Sequence, residues 1–504
     1  MTPEVTILLA LVVPLIGAIG IALTGKSPNL RETVTLTTAA ITFALVASLF
    51  DDVMAGARPE RVLLEMLPGL NIAFKLEPLG MVFAGIASFL WIVTTIYAIG
   101  YMRGHQEQNQ TRFYVCFAIA ISSALGIAFA GNMLTLFVFY EVLTISTFPL
   151  VTHAGTPEAK RAGRIYLGIL IGTSIGLQLV AIVWTWTLTG TLDFTTGGIL
   201  KGHVSDVVAA VLLLMYVFGV GKAALMPFHR WLPAAMVAPT PVSALLHAVA
   251  VVKAGVFTVL KISIYIFGVD FITTISSAEW LQYIAAATIV IASLVALRKD
   301  NLKARLAYST ISQLSYIVLA AMLGNSIASV GGGLHIATHA FGKITLFFCA
   351  GAIMVACHKT EISQMRGLGK AMPVTMIAFL IGSLSIIGLP PFGGLWSKWF
   401  IALGALQADQ LIMVAVLMVS SLLNIAYLLP IPFHAFFSRS DAAGAHDDDY
   451  VSGHQGGHEH TDGEGIHEAP WPCLLAIIIS SAGCLALFFY PDPIFDLLNQ
   501  MFTP

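Results

Sequence analysis

Long apolar runs recur along the whole chain, and their length limits the folds that the sequence can adopt. A helix needs about 20 mostly apolar residues to cross the hydrocarbon core of a bilayer. Only 10% of the residues are charged and 57% are hydrophobic, whereas soluble proteins average about 25% charged residues. We therefore predict an all-α polytopic membrane protein with about fourteen spans, near residues 5–24, 33–50, 79–100, 113–130, 132–151, 165–188, 206–227, 241–268, 280–297, 303–323, 329–357, 373–398, 410–437 and 471–490.

Net charge, cysteine usage and the N-terminus narrow the class of protein further. A net charge of −2 gives no reason to expect a nucleic-acid partner. The five cysteines lie in or beside apolar runs without paired spacing, so neither a disulfide framework nor a zinc or iron–sulfur site is predicted. The N-terminus lacks the basic region of a signal peptide, so we expect residues 5–24 to be retained as a first span.

Basic residues are concentrated in the loops that follow odd-numbered spans. Those loops hold sixteen lysines and arginines, whereas the loops that follow even-numbered spans hold four, namely Arg58, Arg61, Lys75 and Lys201. Positive residues concentrate on the cytoplasmic side of membrane proteins. We therefore predict a multi-pass protein of a bacterial inner or plasma membrane, with cytoplasmic odd-to-even loops and both termini extracytoplasmic.

Six ionisable residues lie within predicted spans rather than in loops. They are Glu141, Lys222, Lys253, Lys261, Lys343 and Lys398. At about 3 kcal/mol for each charged group in the membrane, the six would cost roughly 15–20 kcal/mol on insertion. For Lys261, near the end of a long span, we favour snorkelling of the ammonium to the interface. For Lys222, Lys253 and Lys398 we favour a position that faces protein or a water-filled path.

Proline interrupts two of the predicted spans beside a lysine. Pro227 follows Lys222, and the sequence GLPPFGG at 388–394 precedes Lys398. Paired interruptions in two halves are typical of transporters with inverted repeats. A proline kink that serves packing alone would explain the bends but not the adjacent lysines. We predict a three-span segment at 1–112, inverted five-helix repeats at 113–268 and 280–437, and a C-terminal span at 471–504.

Histidines in two spans are candidates for proton relays. His335 and His339 precede Lys343 at intervals of four residues, which places the three on one helical face. Two histidines four residues apart could also bind a metal, but no third ligand is evident in the span. Because histidine titrates near physiological pH, we favour proton transfer. His247, six residues before Lys253, is predicted to join the two half-paths.

Residues 438–470 differ in kind from the rest of the chain. They are rich in aspartate, glycine and histidine and carry almost no apolar residues, with histidines at 454, 458, 460 and 467. Such a composition predicts a flexible cytoplasmic loop. Metal binding or pH sensing by its histidines is an alternative.

Six motifs occur in an order that resembles a known family. They are FYE at 139–141, GKAALMPFHRWLP at 221–233, APTPVS at 238–243 with His247 and Lys253, AYSTISQ at 307–313, HIATHAFGK at 335–343 and GLPPFGGLWSK at 388–398. The family is that of the antiporter-like subunits shared by Mrp-type cation/proton antiporters, respiratory complex I and membrane-bound hydrogenases. The resemblance covers roughly residues 70–430.

The resemblance implies a role for each matching residue in the first half. Glu141 and Lys222 would form a charge pair, and its making and breaking would couple to a neighbouring subunit. Lys253 and His247 would carry a proton to the centre of the chain. In the second half, the histidines and lysine of the motif at 335–343 would continue this path. Lys398 would end it toward the other side.

Within that family, the D subunit of an Mrp-type antiporter resembles this chain most closely. The chain ends about fourteen residues after its last predicted span, where one complex I type has a long lateral helix. Another complex I type usually has glutamate at the position of Lys398, and the large A subunit of Mrp antiporters has a further domain. The histidine-rich loop departs from the family pattern.

The resemblance implies a proton-translocating subunit of a hetero-oligomeric Na⁺/H⁺ antiporter in a lipid bilayer. No quinone, flavin or nucleotide motif is visible, so no cofactor is expected, and the chain is expected to be a transporter subunit rather than an enzyme. Two alternatives stay open. One is a proton-pumping subunit of a complex I-like oxidoreductase or a hydrogenase, and the other is a structural scaffold with paired lysines.

Overall fold

The computed structural model describes residues 2–438 and 466–502. All fourteen predicted spans fall within these ranges. The predicted loop at 438–470 lies mainly outside the described residues, and so do its histidines at 454, 458 and 460.

Helices make up most of the described chain. They are α1 (Pro3–Leu23), α2 (Pro28–Ala47), α3 (Phe50–Met54), α4 (Pro78–Gly104), α5 (Gln110–Ala128), α6 (Met133–Val151), α7 (Pro157–Thr173), α8 (Val180–Thr189), α9 (Asp206–Gly219), α10 (Trp231–Ala234), α11 (Thr240–Ala244), α12 (Val251–Lys261), α13 (Val269–Ile272), α14 (Ser276–Arg298), α15 (Leu302–Met322), α16 (Ser326–Cys357), α17 (Leu368–Ala371), α18 (Pro373–Ile387), α19 (Gly394–Gln407), α20 (Leu411–Leu428), α21 (Pro430–Phe437), α22 (Trp471–Phe489) and α23 (Asp492–Asn499). Wider π-helical turns connect α7 to α8, connect α11 to α12 and extend α12, at Ser174–Leu179, Leu245–Val249 and Ile262–Phe267.

The described helices account for the predicted number of spans. Eleven helical segments are long and apolar enough to cross a membrane, and α9 and α18 are shorter apolar helices. The helix α15, which has 21 residues but is rich in serine, threonine and glutamine, brings the set to fourteen. The prediction of a polytopic helical membrane fold is confirmed.

One element departs from the all-α prediction. Strands β1 (Glu60–Leu67) and β2 (Leu70–Lys75) form an antiparallel hairpin between α3 and α4. Pro68 and Gly69 form its two-residue turn, and Gly69 has a φ of +74°, which suits the position after a proline in a type II turn. The hairpin is too short to have been recognised in a search for spans.

Loops of the same parity meet on the same face of the molecule. On one face, Phe74 of the hairpin bridges to Ala130 between α5 and α6, and Ile199 donates its N–H to the carbonyl of Ile266. On the other face, which we call the basic face, Arg103 binds Glu32 and Lys303 donates to the carbonyl of Ala238 at 2.6 Å. This arrangement requires that consecutive spans alternate in direction.

Both predicted interruptions are real breaks, although their limits differ from the predicted ones. The seventh span was predicted to reach residue 227, but α9 ends at Gly219 and Lys222 lies in a single 3₁₀ turn. The twelfth span was predicted to end at Lys398, but α19 places that lysine in a second half-helix that continues to Gln407. Hydropathy alone cannot locate where a helix unwinds inside an apolar run.

Candidate functional site

The break after α9 holds Lys222 against the middle of α6. Its Nζ donates to the backbone carbonyl of Tyr140 at 2.8 Å and to the Thr144 hydroxyl at 2.5 Å. The same ammonium lies 3.1 Å from the centre of the Tyr140 ring. Trp231 fixes the unwound backbone because its indole donates to the carbonyl of Gly221 at 2.9 Å. Lys222 is fully buried, so protein groups replace its hydration shell.

Glu141 lies on a different face of α6 from the one that holds Lys222. Its helical neighbours Val138 and Ile145 are 40% and 62% exposed at the outer surface of the chain. Its Oε1 atom is buried and has no hydrogen-bond partner among the described residues. In this structure the carboxylate and the Lys222 ammonium are not within 4.0 Å, so the charge pair between them stays a prediction.

A glycine brings the eighth span into direct contact with the Lys222 break. A Cβ atom on Gly255 would lie 2.4 Å from the backbone nitrogen of Ala223 and 2.4 Å from the carbonyl carbon of Lys222. Only a residue without a side chain permits this approach. The contact places the two predicted lysines of the first half, at 222 and 253, on adjacent backbones.

Lys253 connects the first half of the chain to the second. Its Nζ lies 2.5 Å from Nδ1 of His339 on α16, and both side chains are buried. The rings of His339 and His335 are 5.7 Å apart, centre to centre. The spacing of these histidines therefore does place them in one row, as the sequence predicts, with Lys253 at its end.

Ser397 continues this row into the second break. Nδ1 of His335 lies 2.9 Å from the Ser397 hydroxyl, and the next residue is Lys398. The Lys398 ammonium donates to the carbonyl of Ile387, the last residue of α18, at 3.0 Å. Helix ends expose carbonyl groups without partners in their own helix, so the break supplies an acceptor for this cation. The structure brings five groups from three elements into one polar row, namely Lys253, His339, His335, Ser397 and Lys398.

Lys343 lies on α16 but points to a different neighbour. Its Nζ donates to the Ser309 hydroxyl of α15 at 2.6 Å. Ser309 also bonds to the hydroxyl of Tyr427 at 2.9 Å. Lys343 is therefore joined to α15 and α20 rather than hydrogen-bonded to the two histidines of its own helix.

His247 is the one predicted relay residue without a polar contact among the described residues. Both of its ring nitrogens are buried and lack hydrogen-bond partners. Its ring packs on Phe347 with centres 4.7 Å apart. It lies in the π-helical turn at Leu245–Val249, which precedes α12.

The interpretation of Lys261 as a snorkelling lysine is wrong. The side chain is fully buried, and its Nζ lies 2.7 Å from Oε2 of Glu77, which precedes α4. Sequence reasoning missed the partner because 184 positions separate the two residues and Glu77 lies just outside a predicted span. Among the described residues, the other four span lysines have no carboxylate within 4.0 Å.

The chemistry of this polar row suits cation or proton movement. Amines, imidazoles and hydroxyls can each accept and donate a proton, and the row is buried from Lys253 to Ser397, with Lys398 half-buried at its end. Sequence reasoning missed Ser397, Ser309 and Thr144, because a serine or threonine in an apolar span carries no signal that separates a relay from a packing residue.

Comparison with known families supports a common origin for most of the chain. A family model described as NADH:quinone oxidoreductase/Mrp antiporter, TM, matches residues 130–424. A second, described as NADH-Ubiquinone oxidoreductase (complex I), chain 5 N-terminus, matches residues 68–114. The first match contains all the predicted site residues.

Individual relatives agree with the family matches. The chain is 32% identical over 383 residues to NADH-quinone oxidoreductase subunit N of Desulforudis audaxviator, covering 75% of each chain. It is 33% identical over 361 residues to NAD(P)H-quinone oxidoreductase chain 5 of Synechocystis, covering 68% of this chain but only 51% of that relative's length. A chain from the Mrp complex of Dietzia sp. has the same fold, with a TM-score of 0.85 and 22% identity over 99% of this chain and 97% of that one.

Proposed function

Because this chain belongs to the NADH:quinone oxidoreductase/Mrp antiporter family, we propose that it is the proton-translocating subunit of a multisubunit Na⁺/H⁺ antiporter. The observation that carries this proposal is the polar row from Lys253 to Lys398, which runs from the helix packed against the first break to the broken twelfth span. Buried ionisable groups within a membrane are expensive, and a row of them that links two halves of the chain has a direct use in moving charge.

The proposed path begins at the basic face and ends at the opposite face. Lys222 accepts a proton at the first break, and Lys253, next to it through Gly255, receives the charge. His339 and His335 pass it along α16, and Ser397 delivers it to Lys398. Lys343 and His247 lie beside this row and supply further titratable groups. Two of these steps lie at hydrogen-bond distance in the structure, from Lys253 to His339 and from His335 to Ser397.

We assign Glu141 the role of a switch toward a neighbouring subunit. It lies on the outer surface of α6, one residue from the carbonyl that binds Lys222. A carboxylate that swings toward Lys222 would stabilise the ammonium, and one that swings away would favour release of the proton. A partner subunit on the outer surface of α6 could drive that movement. The partners in this proposal are the other subunits of a hetero-oligomeric antiporter, among which this chain takes the place of the D subunit.

The two breaks also support the proposed repeats at 113–268 and 280–437. Each repeat contains one interrupted helix with a lysine in or beside the break, and the polar row runs between them. Under this proposal, the three-span segment at 1–112 and the C-terminal span at 471–504 flank the repeats.

A second candidate function rests on the names of the two relatives, both of which are quinone oxidoreductase subunits. In that case the same row would pump protons in a redox-driven complex, and electron transfer would belong to other subunits. Na⁺-dependent proton exchange without any electron donor separates the two candidates, because a redox-driven pump would not show it.

The test uses everted membrane vesicles from cells that carry the whole set of subunits. We expect Na⁺ addition to dissipate an imposed proton gradient, and Lys398→Ala to abolish this response while the complex still assembles. Lys201→Ala, at an exposed lysine on the opposite face, is the matched control and should leave the exchange unchanged. Full exchange by assembled Lys398→Ala complex would contradict the proposed path.

A further inference from the structure

A cavity lies where three loops of the opposite face meet, away from the polar row. These loops connect α13 to α14, α15 to α16 and α19 to α20. The cavity has a volume of about 390 Å³. Because a water molecule takes up about 30 Å³ in the liquid, this volume has room for an ion together with its first hydration shell. We call it the loop cavity.

Two carboxyl groups line the loop cavity. Glu279 lies on α14 and Asp409 lies in the turn between α19 and α20, and both are exposed. No basic residue is among the described residues that line the cavity, and its other polar lining residues are neutral, namely Thr273, Thr274, Ser276, Gln282, Gln407 and Gln410. A lining with this distribution of charge attracts cations and repels anions.

Gln282 provides evidence for a ligand that is independent of the acidic residues. The residue is 7% exposed, and its Nε2 donates to the carbonyl of Met322 at 2.8 Å. This bond fixes the orientation of the amide, and it leaves Oε1 without a hydrogen-bond partner among the described residues. A buried amide oxygen without a partner costs free energy. A cation in the cavity that Gln282 lines would supply the missing partner.

The ends of two helices also border the loop cavity. The helix α19 ends there at Gln407, and the C-terminal end of a helix favours a cation. The helix α14 begins there, and its N-terminal end favours an anion, but Glu279 in its first turn offsets that positive end. The same α19 carries Lys398, about 13 Å from Gln407 along the helix. The cavity therefore lies at the outer end of the half-helix on which the proposed path ends.

We propose that the loop cavity is a binding site for the exchanged monovalent cation, Na⁺, on the opposite face. Glu279 and Asp409 attract the hydrated ion, and Oε1 of Gln282 replaces part of its hydration shell. Ca²⁺ takes about six to eight oxygen ligands, with several carboxylates among them, whereas this cavity has two carboxyl groups, both exposed. Such weak binding suits an ion that has to leave again. This inference rests on the proposed function, because Na⁺ is the exchanged ion only in an antiporter.

The experiment measures Na⁺-dependent proton exchange in two vesicle preparations, one with the opposite face outward and one with the basic face outward. The measured quantity is the external Na⁺ concentration that gives half-maximal exchange by the assembled complex. Choline chloride keeps the ionic strength constant, because salt screens exposed charges. The main variant is Glu279→Gln with Asp409→Asn, and Gln282→Leu removes Oε1 without a change in net charge.

Asp193→Asn with Asp206→Asn is the matched control for the main variant. Both aspartates are exposed on the opposite face, in or after the loop between α8 and α9, and neither lines the cavity. The control therefore makes the same change in net charge on the same face. It separates binding in the cavity from general attraction of Na⁺ to a negative surface.

We expect the main variant to raise the half-maximal Na⁺ concentration roughly tenfold when Na⁺ meets the opposite face, with no change when Na⁺ meets the basic face. Gln282→Leu should raise it roughly threefold on the same side, and the control should match the parent. A main variant that matches the parent, a control that shifts as far as the main variant, or equal shifts from both faces would overturn the proposal. A parent that shows no Na⁺-dependent exchange in either preparation would instead contradict the proposed function.

Discussion

Ser397 bonds to His335 and immediately precedes Lys398 in α19. Its hydroxyl contacts Nδ1 of His335 at 2.9 Å, the Thr338 hydroxyl at 3.1 Å and the carbonyl of Gly394 at 3.1 Å. Because Ser397 is fully buried, no bulk water can replace it if its hydroxyl is removed. The His335 ring is thus held at Nδ1 by this hydroxyl and on its face by stacking on the Tyr316 ring, with centres 5.5 Å apart.

Ser397→Ala should reduce the rate of Na⁺-dependent proton exchange roughly fivefold, since the lost hydrogen bond leaves a buried histidine nitrogen without a partner. The amount of assembled complex should not change, because Ser and Ala differ by one atom. Ser480→Ala is the matched control: that hydroxyl is equally buried but donates to Ile477 within its own helix. Equal exchange rates for both variants would remove Ser397 from the path.

His153 gives the stability of the protein a dependence on pH. It is buried in the turn after α6, with Nε2 3.8 Å from the Glu107 carboxylate. Burial lowers the pKa of the His153 imidazole, and the nearby Arg112 lowers it further. A lowered folded pKa means that the unfolded chain binds the proton first, so stability is complete above about pH 6.5 and is lost as the pH falls toward the folded pKa. Burial raises the pKa of Glu107, so its contribution has the opposite sign and is lost as the pH rises.

Acidification from pH 7.5 to pH 5.5 should therefore lower the unfolding temperature of the purified complex less for His153→Gln than for the parent. The difference between the two decreases should be about 1–2 °C. His203→Gln, at an exposed histidine on the opposite face, is expected to behave as the parent. If the unfolding temperature of the parent rises on acidification, and that of His153→Gln rises by the same amount, the dominant effect belongs to Glu107.

At the scale of elements, the contact between α12 and the Lys222 break depends on one glycine. The three heavy atoms nearest to a Cβ at position 255 all belong to backbone, namely that of Lys222 and Ala223. Backbone in a buried break cannot move without disturbing the bonds that hold Lys222 to α6. The geometry of the first half-path is thus set by close packing of two main chains.

Gly255→Ala should destabilise the complex by about 1–3 kcal/mol through overpacking. Because the added methyl group displaces the Lys222 ammonium, the exchange rate should fall by more than this loss of stability explains. Thermal unfolding and exchange rate, each per assembled complex, are the measurements. Gly172→Ala has no heavy atom within 4 Å of the new Cβ, so it should retain both. A stable, fully active Gly255→Ala complex would show that exchange does not require the close approach of α12 to the Lys222 break.

The elements differ in how well the sequence predicts them. The eighth span was predicted at 241–268 and occupies Thr240–Phe267, because an apolar run specifies a span almost by length alone. The half-helices at Lys222 and Lys398 were recognised from proline and lysine, but their ends were not, since unwinding depends on tertiary contacts such as the Trp231 bond to Gly221. For the same reason, the sequence identified Lys261 as anomalous but not its ion pair with Glu77.

At the scale of the whole molecule, the loops form two layers, one at each end of the spans. The protein therefore has two possible orientations in the membrane, which differ in the layer that faces the cytoplasm. Among the described residues, the basic face carries fifteen of the sixteen lysines and arginines predicted for it, and the opposite face carries four. This asymmetry predicts that the basic face is cytoplasmic. The direction of proton movement along the proposed path, from Lys222 to Lys398, depends on this orientation.

Labelling of single cysteines in intact cells tests the orientation. In a variant with all five native cysteines replaced by alanine, Asp409→Cys places a thiol in the exposed turn between α19 and α20 on the opposite face, and Lys160→Cys places one on the exposed start of α7 on the basic face. A membrane-impermeant maleimide added outside the cells should modify Asp409→Cys at once and Lys160→Cys only after the membrane is permeabilised. Because both residues are exposed, a difference in labelling reports the side of the membrane rather than burial. The reverse pattern would place both termini in the cytoplasm and would invert the proposed direction of the path.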